Sequence, residues 1–477
     1  MVVSRFDLVI LGQGSAAFSA AIKANELGVR TAMVGESATG GAVLGGTCVN
    51  VGCVPSKRLI TVGTSFHNET RSMFKGIEYG SGKLNFQKVM QEKDRLVRGF
   101  RKEKYADVLK GLEEVTYYPA KGRFVSRNEV RAGDETLQAE KLLVATGARA
   151  SIPSIEGIDG VDYLTNEEAL SLSELPGSMC VIGGRALGLE FAQMYAQFGT
   201  KVTLLQRSKR ILPEDEPEVS EALTSYLGDL RIDVFTGVTV NRVSKGGRDN
   251  KKVVNFTTKK GGPGRVLCDQ LLLATGRRPN TEDLGLKKAG VKTDAKGFVV
   301  VNDEMLTSAD NIWAAGDVIG EPMLETIAAK EGAVAVHNAF SDDAKKKVNF
   351  GEVPSAVFTY PEVARVGLTE SETLGKGIRC ACRVLPFDLV PKAHIIGDTR
   401  GLVKMVIDND TKRIVGVHIL APHAADLIHE GVLAVKNKLT VDDIIDTVHV
   451  FPTLSESVKL AAQSFYMDVG KMSCCVE

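Results

Sequence analysis

The stretch Phe6-Asp7-Leu8-Val9-Ile10-Leu11-Gly12-Gln13-Gly14-Ser15-Ala16-Ala17 decides the fold of the first part of the chain. Its almost continuous apolar half predicts a strand buried at the centre of a parallel sheet. Gly12, Gly14 and Ala17 then follow the pattern G-x-G-x-x-A, in the strand–turn–helix setting that a dinucleotide-binding unit requires. Glycine lets backbone N–H groups approach a pyrophosphate, and Ser15 begins the helix whose N-terminus faces it.

An acidic residue follows the second strand of this unit. The pattern predicts a helix to about residue 27 and a strand over 30–34. Glu36 comes about 24 residues after Gly12, near the place where a carboxylate accepts hydrogen bonds from a ribose. Gly35 occupies the position where that acid is usually found, so the prediction for Glu36 is displaced by one residue.

The same organisation repeats further along the chain. A strand is predicted over 179–182, a turn over 183–188 and a helix over 189–198, followed by a strand over 201–205. The turn reads Gly-Gly-Arg-Ala-Leu-Gly, so Gly183 and Gly188 keep the pattern while Arg185 replaces its second glycine. We expect a second dinucleotide site here, with a less certain contact to the pyrophosphate at Arg185.

A basic segment follows the second strand of this repeat. It reads Gln206-Arg207-Ser208-Lys209-Arg210 and contains no acid that could bind a free ribose 2′-hydroxyl. Arg207, Lys209 and Arg210 suit a 2′-phosphate, which favours NADPH over NADH. A solvated basic loop is the alternative interpretation.

Length and charge limit the possible functions. The 477-residue chain has 59 basic and 59 acidic side chains. This length predicts about three domains. A formal net charge of zero gives no electrostatic reason to expect nucleic acid or an anionic membrane as a partner. No apolar run approaches the ~20 residues that span a bilayer, and the N-terminus enters a strand without a leader and cleavage site. We expect a cytoplasmic protein.

A pair of cysteines lies just beyond the first dinucleotide unit. Residues 45–57 read Gly-Gly-Thr-Cys-Val-Asn-Val-Gly-Cys-Val-Pro-Ser-Lys. Pro55 suits the first turn of a helix, so Cys53 would lie at a helix N-terminus, where the macrodipole favours a thiolate. Together with Cys48 it could cycle between disulfide and dithiol. A static disulfide or half of a zinc site is the alternative, although no second C-x-x-C or histidine pair follows.

Two nucleotide sites beside a dithiol indicate an electron relay, from NADPH to a bound flavin and onward. Lys57 follows Cys53 by one helical turn and can reach the edge of the flavin. Glu190, on the helix of the second unit, is a plausible ion-pair partner for Lys57. A long amphipathic helix is predicted over 84–112, and it contains Tyr105.

Residues 45–57 resemble the active-site segment of the pyridine nucleotide–disulfide oxidoreductases, and the resemblance covers essentially the whole chain. It implies an α/β fold with two Rossmann-like dinucleotide-binding domains, for FAD and NADPH, and a C-terminal α+β dimerisation domain. The implied boundaries are 1–150 and 272–345 for FAD, 151–271 for NADPH, and 346–477 for the dimerisation domain. The implied FAD contacts are Gly12, Gly14, Ser15, Ala17, Glu36, Gly46, Thr47, Lys57, Ala120, Thr146, Gly147, Asp317 and Glu325. The implied NADPH contacts are Gly183, Gly188, Glu190, Arg207, Lys209, Arg210 and Gly276.

One departure from the family narrows the expected activity. Disulfide reductases carry a C-terminal His-Pro-Thr whose histidine moves the proton in thiol–disulfide exchange. Here the segment 449–456 reads His-Val-Phe-Pro-Thr-Leu-Ser-Glu, so Phe451 takes the histidine's place while its usual partner Glu456 remains. Phenylalanine cannot move a proton. His449 is the alternative base, two positions and about 6.6 Å along a strand.

The chain ends Lys-Met-Ser-Cys-Cys-Val-Glu, with Cys474 adjacent to Cys475. Neighbouring cysteines form a strained disulfide, whereas as thiolates they suit a soft metal ion. This tail is similar to that of the family's mercuric reductases, which implies that Hg(II)–thiol complexes are the substrate of a homodimer with a shared active site. Cys474 and Cys475 would then pass Hg(II) to Cys48 and Cys53 of the other subunit.

The resemblance to mercuric reductases carries further expectations. Tyr105 matches a tyrosine that these enzymes place at the metal site, while Phe451 lacks the hydroxyl of a second one. Many relatives begin with a metallochaperone-like domain, which we do not expect here. A dihydrolipoamide dehydrogenase-like reductase and a redox-inactive mercury-binding protein are the alternatives. The remaining cysteines are interpreted as buried, inert thiols in or beside strands: Cys180, Cys268, Cys380 and Cys382.

Overall fold

A computed structural model describes residues 3–36, 43–70, 82–246 and 250–473, together with 74, 76 and 80. The strands are β1 Val3–Leu11, β2 Thr31–Val34, β3 Val115–Tyr118, β4 Gly122–Phe124, β5 Glu129–Ala132, β6 Glu135–Val144, β7 Ala148–Ala150, β8 Ser178–Ile182, β9 Lys201–Gln206, β10 Asp233–Thr236, β11 Thr239–Gly246, β12 Lys251–Thr257, β13 Pro263–Cys268, β14 Gln270–Leu273, β15 Arg277–Pro279, β16 Ile312–Ala314, β17 Ser355–Val357, β18 Glu362–Gly367, β19 Cys380–Pro386, β20 Leu402–Asp408 and β21 Ile414–Ala421. The α-helices are α1 Ser15–Glu26, α2 Gly46–Val51, α3 Cys53–Thr70, α4 Phe86–Arg101, α5 Asp107–Lys110, α6 Asn166–Ala169, α7 Ala186–Phe198, α8 Pro217–Asp229, α9 Glu325–Phe340, α10 Glu370–Gly375, α11 Pro391–Ile396, α12 Ala424–Asn437, α13 Val441–Asp446 and α14 Glu456–Gln463.

The chain forms two compact units. Unit 1 contains Met1–Pro55, Gln91–Ser151 and Gly276–Phe350, and unit 2 contains Ser56–Met90, Ile152–Thr275 and Gly351–Glu477. The first βαβ repeat therefore belongs to unit 1. The second repeat and the C-terminal segment belong to unit 2.

Unit 1 is built on a sheet in the order β3-β2-β1-β6-β5-β4, with β16 also paired to β6. β1 pairs in parallel with β2 and β6, with Val9 opposite Ala32 and Leu142. Leu8 to Leu11 are at most 1% exposed. The apolar run of β1 is thus buried on both faces, as a central parallel strand requires.

Unit 2 contains a parallel sheet, β10-β9-β8-β14, and an antiparallel sheet, β11-β12-β13. A third sheet, β17-β18-β21-β20-β19, is antiparallel. α12 and α14 supply Ile428 and Val458 to the apolar core beside this sheet. Thr165, Thr369 and Thr440 form capping boxes that begin α6, α10 and α13.

The predicted α/β fold with two βαβ repeats is confirmed, and the differences are local. The helix expected over 84–112 is interrupted by a π-helical turn, Lys102–Ala106, which separates α4 from α5. The strands β10 to β13, β18 and β21 were not predicted. The three-domain division stays a prediction.

None of the helices in the described part of the chain combines the length and hydropathy needed to cross a membrane.

Candidate active site

The first glycine turn is shaped by a close approach between β1 and β6. A Cβ atom on Gly12 would lie 2.1 Å from the carbonyl oxygen of Ala145, and the residue has a φ of +143°. Ala145 donates its N–H to Leu11 O at 2.7 Å, which fixes this approach. Only glycine fits here, so the turn leaves bare backbone in front of the helix α1.

A second glycine segment presses against this turn. A Cβ atom on Gly46 would lie 2.6 Å from the Cα of Gly14, and Gly45 donates its N–H to Gln13 O at 3.0 Å. Ser15 and Ala17 lie in the first turn of α1, and Thr47 lies in that of α2. Bare backbone at two helix N-termini fits the pyrophosphate of FAD.

The predicted adenosine contacts line one cavity of about 530 Å3. Glu36, at the end of β2, is exposed and lines it together with Ala120. The other lining residues are Pro119, Lys121, Arg123, Arg131, Gly133 and Asp283. The carboxylate of Glu36 is thus available to a ribose hydroxyl, one position after Gly35.

Thr146 and Gly147, at the end of β6, are held by Asn280. The Asn280 side chain donates to Thr146 O and the Thr146 hydroxyl donates to Asn280 O, both at 2.9 Å. Asn280 also donates its N–H to Gly147 O at 2.9 Å, where Gly147 has a φ of +70°. These hydrogen bonds with Asn280 fix the turn at Gly147, next to the glycine turn at Gly12.

Arg277 is a site residue that the sequence did not reveal. Its guanidinium donates to Ala148 O and, at 3.4 Å, to the Thr47 hydroxyl, and its Nε lies 3.4 Å from the Asp317 carboxylate. Burial raises the pKa of Asp317, and Arg277 opposes that effect. Arg277 therefore links two predicted FAD contacts. The only hint in the sequence was its place directly after Gly276.

Glu331 of α9 is a second residue that sequence reasoning missed. It is 2% exposed and accepts the N–H of Gly316, next to Asp317, at 2.7 Å. Burial raises the pKa of Glu331 to about 7, the Gly316 N–H lowers it, and the Asp317 charge raises it. The carboxyl thus titrates near neutral pH beneath the turn that bears Asp317.

We expect Glu331 to make stability depend on pH. The raised pKa means that the folded protein binds this proton more tightly than the unfolded chain, whose value is 4.5. The contribution is therefore complete below pH 4.5 and is lost as pH rises through about 7; it amounts to about 3 kcal/mol. Thermal unfolding is measured at pH 5.5 and at pH 8.5. The Tm of the natural chain should fall from the lower to the higher pH, and the Tm of Glu331→Gln should fall less.

The matched control is Glu140→Gln, because Glu140 is exposed at the surface of the same unit. This variant should keep the pH dependence of the natural chain. If Glu331→Gln kept it as well, the assignment of a buried, titrating carboxyl would be wrong.

The two cysteines of the predicted dithiol lie at a break between two helices. Cys48 is within α2 and partly buried, while Cys53 begins α3 and is exposed. Gly52 separates them, and a Cβ atom on it would lie 2.9 Å from Thr47 O. The predicted position of Cys53 at a helix N-terminus is confirmed.

The two sulfurs are in contact. A hydrogen bond between the Cys48 and Cys53 side chains holds the pKa of Cys48 well above its usual range, with burial and the nearby Glu325 acting in the same direction. Cys48 is therefore the protonated partner that donates to Cys53. This arrangement favours negative charge on the sulfur at the helix N-terminus.

Asn50 fixes the segment between the cysteines. Its amide donates to Leu44 O at 2.9 Å and to Gly46 O at 2.8 Å, and its oxygen accepts from Arg101 Nε of α4 at 2.8 Å. The pair is thus held to its own loop and to a separate helix, which limits changes in the sulfur–sulfur geometry.

Tyr105 lies beside the pair on the π-helical turn. Its ring packs edge-on against Phe18 with centroids 4.9 Å apart, and a Cβ atom on Gly45 would lie 3.1 Å from the ring. Burial raises the pKa of Tyr105 to about 12, with the charges of Cys48 and Glu325 adding to the effect. The side chain also shares a hydrogen bond with Ser15. Tyr105 is therefore a neutral phenol at physiological pH.

Unit 2 contains the ion pair expected between Lys57 and Glu190. Lys57 Nζ lies 2.7 Å from Glu190 Oε2 and 4.6 Å from the centroid of the Phe358 ring. The other oxygen of Glu190 accepts the Phe358 N–H at 3.0 Å. Glu190 is 5% exposed, so within unit 2 the helix α7 presents a buried carboxylate that fixes the Lys57 ammonium.

The second glycine turn repeats the geometry of the first. A Cβ atom on Gly183 would lie 2.1 Å from Ala274 O, and one on Gly188 would lie 1.8 Å from Gly183 O. Arg185 has φ −99° and ψ −174°, close to the −93° and −169° of Gly14 at the matching helix start. That backbone conformation is open to any residue. The turn therefore keeps the backbone conformation of the first glycine turn although its second glycine is absent.

The basic segment after β9 divides into two kinds of residue. Arg207 and Lys209 are exposed. Arg210 instead donates to Pro213 O at 3.0 Å and Asp215 O at 2.9 Å, within its own loop. Two cations are thus available to a 2′-phosphate. Gly276, also predicted to contact NADPH, has a φ of +108° and belongs to unit 1.

The segment that replaces His-Pro-Thr lacks a free base. Phe451 is 51% exposed, and Glu456 accepts the N–H of Thr453 at 3.1 Å. His449 interacts through both ring nitrogens, with Glu430 and with Thr447 O, each at 2.9 Å. His449 is therefore committed to its own surroundings and does not replace the missing histidine.

The predicted tail thiols, Cys474 and Cys475, lie outside the described residues. Cys180 and Cys268 are buried, as predicted, whereas Cys380 and Cys382 are only partly buried. Within the described part of the chain, no group of three or more His, Cys, Asp or Glu side chains could hold a metal ion. The zinc interpretation of the dithiol thus finds no further ligand there.

Two family models match the chain. The model for pyridine nucleotide-disulphide oxidoreductases covers residues 6–332, and the model for the dimerisation domain of the same family covers residues 353–462. The first match contains the dithiol and both glycine turns. The second contains the exposed side chains of Val448, Val450 and Phe451.

Curated relatives match over nearly the whole chain. A mercuric reductase of Staphylococcus aureus is 40% identical over 473 residues, which are 98% of this chain and 84% of that protein. A mercuric reductase of Streptomyces lividans is 39% identical over 477 residues, 98% of each chain. Among solved structures, the HOCl-induced flavoprotein disulfide reductase RclA from Escherichia coli is 28% identical with a TM-score of 0.84, covering 96% of this chain and 99% of that one.

Proposed function

Because this chain belongs to the pyridine nucleotide–disulphide oxidoreductase family, and within it to the mercuric reductases, we propose that it reduces Hg(II) to Hg(0) at the expense of NADPH. The observation that carries the proposal is the dithiol: Cys48 and Cys53 are in contact beside Tyr105. No acid/base histidine replaces Phe451.

The enzyme uses FAD and NADPH. FAD, when bound, accepts hydride from NADPH and supplies two electrons. We assign its pyrophosphate to the turns at Gly12, Gly14 and Gly46, and its adenosine to the cavity that Glu36 and Ala120 line. Asp317 and the Glu325 end of α9 complete the FAD contacts in this proposal. NADPH is assigned to the turn at Gly183 and Gly188, with Arg207 and Lys209 on its 2′-phosphate.

The metal step is ligand exchange. An RS–Hg–SR complex reacts with the Cys48 thiol and the Cys53 thiolate, giving Cys48–S–Hg–S–Cys53, one thiol and one thiolate. The proton of Cys48 leaves with the first thiol. Two electrons then convert the bound Hg(II) to Hg(0) and leave both cysteines as thiolates, one of which is reprotonated by solvent. No step requires a general base.

Neighbouring residues set the conditions for this exchange. Tyr105, as a neutral phenol, adds no charge next to a sulfur that must become anionic. Asn50 keeps the two sulfurs facing one another. Lys57, held by Glu190, places a positive charge one turn beyond Cys53. We place the activity in the cytoplasm, where a dithiol stays reduced.

An anaerobic stopped-flow assay tests this function. The FAD-loaded enzyme is mixed with NADPH and Hg(II) in excess cysteine, and we expect NADPH oxidation that depends on Hg(II). No such oxidation would refute the proposal. Rapid turnover of lipoamide or glutathione disulfide without Hg(II) would favour the dihydrolipoamide dehydrogenase-like alternative.

The finer proposal is a homodimer whose active sites each use both subunits. Cys474 and Cys475 of one subunit would pass Hg(II) to Cys48 and Cys53 of the other. The support is chemical: adjacent soft thiolates near a chain end suit metal transfer, and the chain carries a dimerisation domain.

We expect Cys474→Ala/Cys475→Ala to slow turnover of bulky Hg(II)–glutathione complexes about tenfold or more, since direct exchange at the inner pair remains possible. The decisive measurement uses mixed dimers of this variant with Cys48→Ala/Cys53→Ala chains. Delivery between subunits should restore about half of the natural turnover per dimer. Turnover no better than that of the tail variant would contradict it.

A further inference from the structure

β19 carries two cysteines that the proposed reaction does not use. Cys380 and Cys382 are free and partly buried on the strand at one edge of the order β17-β18-β21-β20-β19. Residues two apart on a strand share one face. On the neighbouring strand β20, Asp408 lies opposite Cys380 and Val406 lies opposite Cys382. The two thiols thus form an accessible pair on one face of the sheet.

The two side chains of this pair are close enough to interact. Cys380 acts on the pKa of Cys382 through its charge and through side-chain hydrogen bonding, and both effects raise that pKa. Along a strand, residues two apart are separated by about 6.6 Å, which is at the upper end of the roughly 4.4–6.8 Å that a disulfide tolerates between Cα atoms. A disulfide here would be strained. Rotation about χ1 can instead move the sulfurs apart to receive an ion between them.

The electrostatic surroundings keep the Cys382 thiol neutral. Lys404 lies opposite Val384, next to the pair, and its ammonium is 2.8 Å from Glu370 and 3.0 Å from Glu216. Burial raises the pKa of Cys382 to about 12, with Glu370 and Cys380 adding to the effect and Lys404 opposing it. Cys382 therefore does not ionise alone, and a ligand with high affinity for sulfur is needed to displace its proton.

We propose that Cys380 and Cys382 form an accessory binding site for Hg(II), separate from the dithiol of the active site. A complex RS–Hg–SR exchanges both ligands, giving Cys380–S–Hg–S–Cys382 and two RSH, so each cysteine proton leaves on a thiol and nothing is oxidised. The product is uncharged and adds no charge beside Lys404. Zinc needs about four ligands, and the described residues offer no group of three or more.

Hg(II) binding is measured in a variant that lacks the cysteines of the active-site dithiol and of the tail. The result therefore does not depend on turnover. The FAD-loaded full-length variant Cys48→Ala/Cys53→Ala/Cys474→Ala/Cys475→Ala is dialysed against Hg(II) in excess cysteine, and bound mercury is counted. We expect one Hg(II) per chain. Adding Cys382→Ser, or separately Cys380→Ser, should abolish binding.

The matched control adds Cys180→Ser, the same change at a buried thiol in contact with Cys268; it should keep one Hg(II) per chain. Cys382→Ser in the otherwise natural chain should keep Hg(II)-dependent NADPH oxidation, which shows that it folds. Mercury retained by both serine variants, or none bound by the starting variant, would overturn the proposal. So would Zn(II) bound at the same stoichiometry.

Discussion

Replacing either cysteine of the dithiol with serine should lower Hg(II)-dependent NADPH oxidation at least about a thousandfold, because the two sulfurs act as one unit. Serine at position 53 removes the exposed sulfur at the start of α3, and serine at position 48 removes the thiol that donates to it. A hydroxyl of normal pKa does not bind Hg(II) in competition with excess thiol. The measurement is the steady-state rate for Cys48→Ser and Cys53→Ser.

The same variants should keep the half-reaction that does not involve the dithiol. The rate at which NADPH bleaches the flavin absorbance under anaerobic conditions should stay within about a factor of three of the natural rate. Such a change is smaller than the tenfold change in rate that 1.36 kcal/mol of activation free energy produces. Cys382→Ser provides the matched control, since it makes the same exchange outside the dithiol and should leave turnover unchanged. Turnover within tenfold of the natural rate in Cys53→Ser would contradict the assigned role.

Replacing Glu190, the buried partner of the Lys57–Glu190 ion pair, should produce the largest loss of stability among single substitutions at the site. Glu190→Ala leaves Lys57 Nζ and the Phe358 N–H without the oxygens they now bond. Removing one partner of a buried pair costs about 3–5 kcal/mol, and the partial exposure of Lys57 lowers the expected value to about 2–3 kcal/mol. We expect Tm to fall by about 5 °C.

A double-mutant cycle identifies the cause of that loss. Lys57→Met/Glu190→Leu should lose less Tm than the sum of its single variants, since neither charge remains unpaired. Arg379→Met removes an exposed ion pair with Asp410 and should change Tm by less than about 1 °C. Additive losses at Lys57 and Glu190 would show that the two residues act independently.

Much of the fold could be predicted because its determinants are local. Within each βαβ unit, the apolar run, the glycine turn and the acid or base after the second strand lie within about 30 residues, the length of one such unit. The strand predicted over 201–205, for example, is observed as β9, Lys201–Gln206.

The residues that were missed act over long separations. Arg277 reaches Thr47 across 230 positions of sequence, and no local pattern distinguishes it from the neighbouring Arg278. Glu331 lies among the small residues of α9, and a charged residue in a helix is normally expected at the surface. Its burial depends on the packing of Gly332 against Ala16, where a Cβ atom would lie 2.1 Å from a carbonyl oxygen. Only the tertiary structure gives these contacts.

Chemical identity was easier to predict than geometry. The pairing of Lys57 with Glu190 followed from charge and position, and the structure contains it. Whether His449 can replace the missing acid/base histidine could be judged only from its partners, Glu430 and Thr447. These partners are brought to it by packing around α12 and α13. The roles of the cofactor-binding residues stay predictions, since they depend on ligands rather than on contacts within the chain.

The π-helical turn that contains Tyr105 makes the direction of this side chain sensitive to the length of the chain in the turn. A π turn contains one residue more than an α turn, so the loss of one residue would convert it to a regular α turn and change the direction of the side chains within it. Lys102, Glu103 and Lys104 are exposed, and their number is not constrained by a core. Deletion of a single codon there could turn the phenol away from Cys48 and Cys53 without altering any residue that touches them. Related genes could therefore differ around this cysteine pair through length alone.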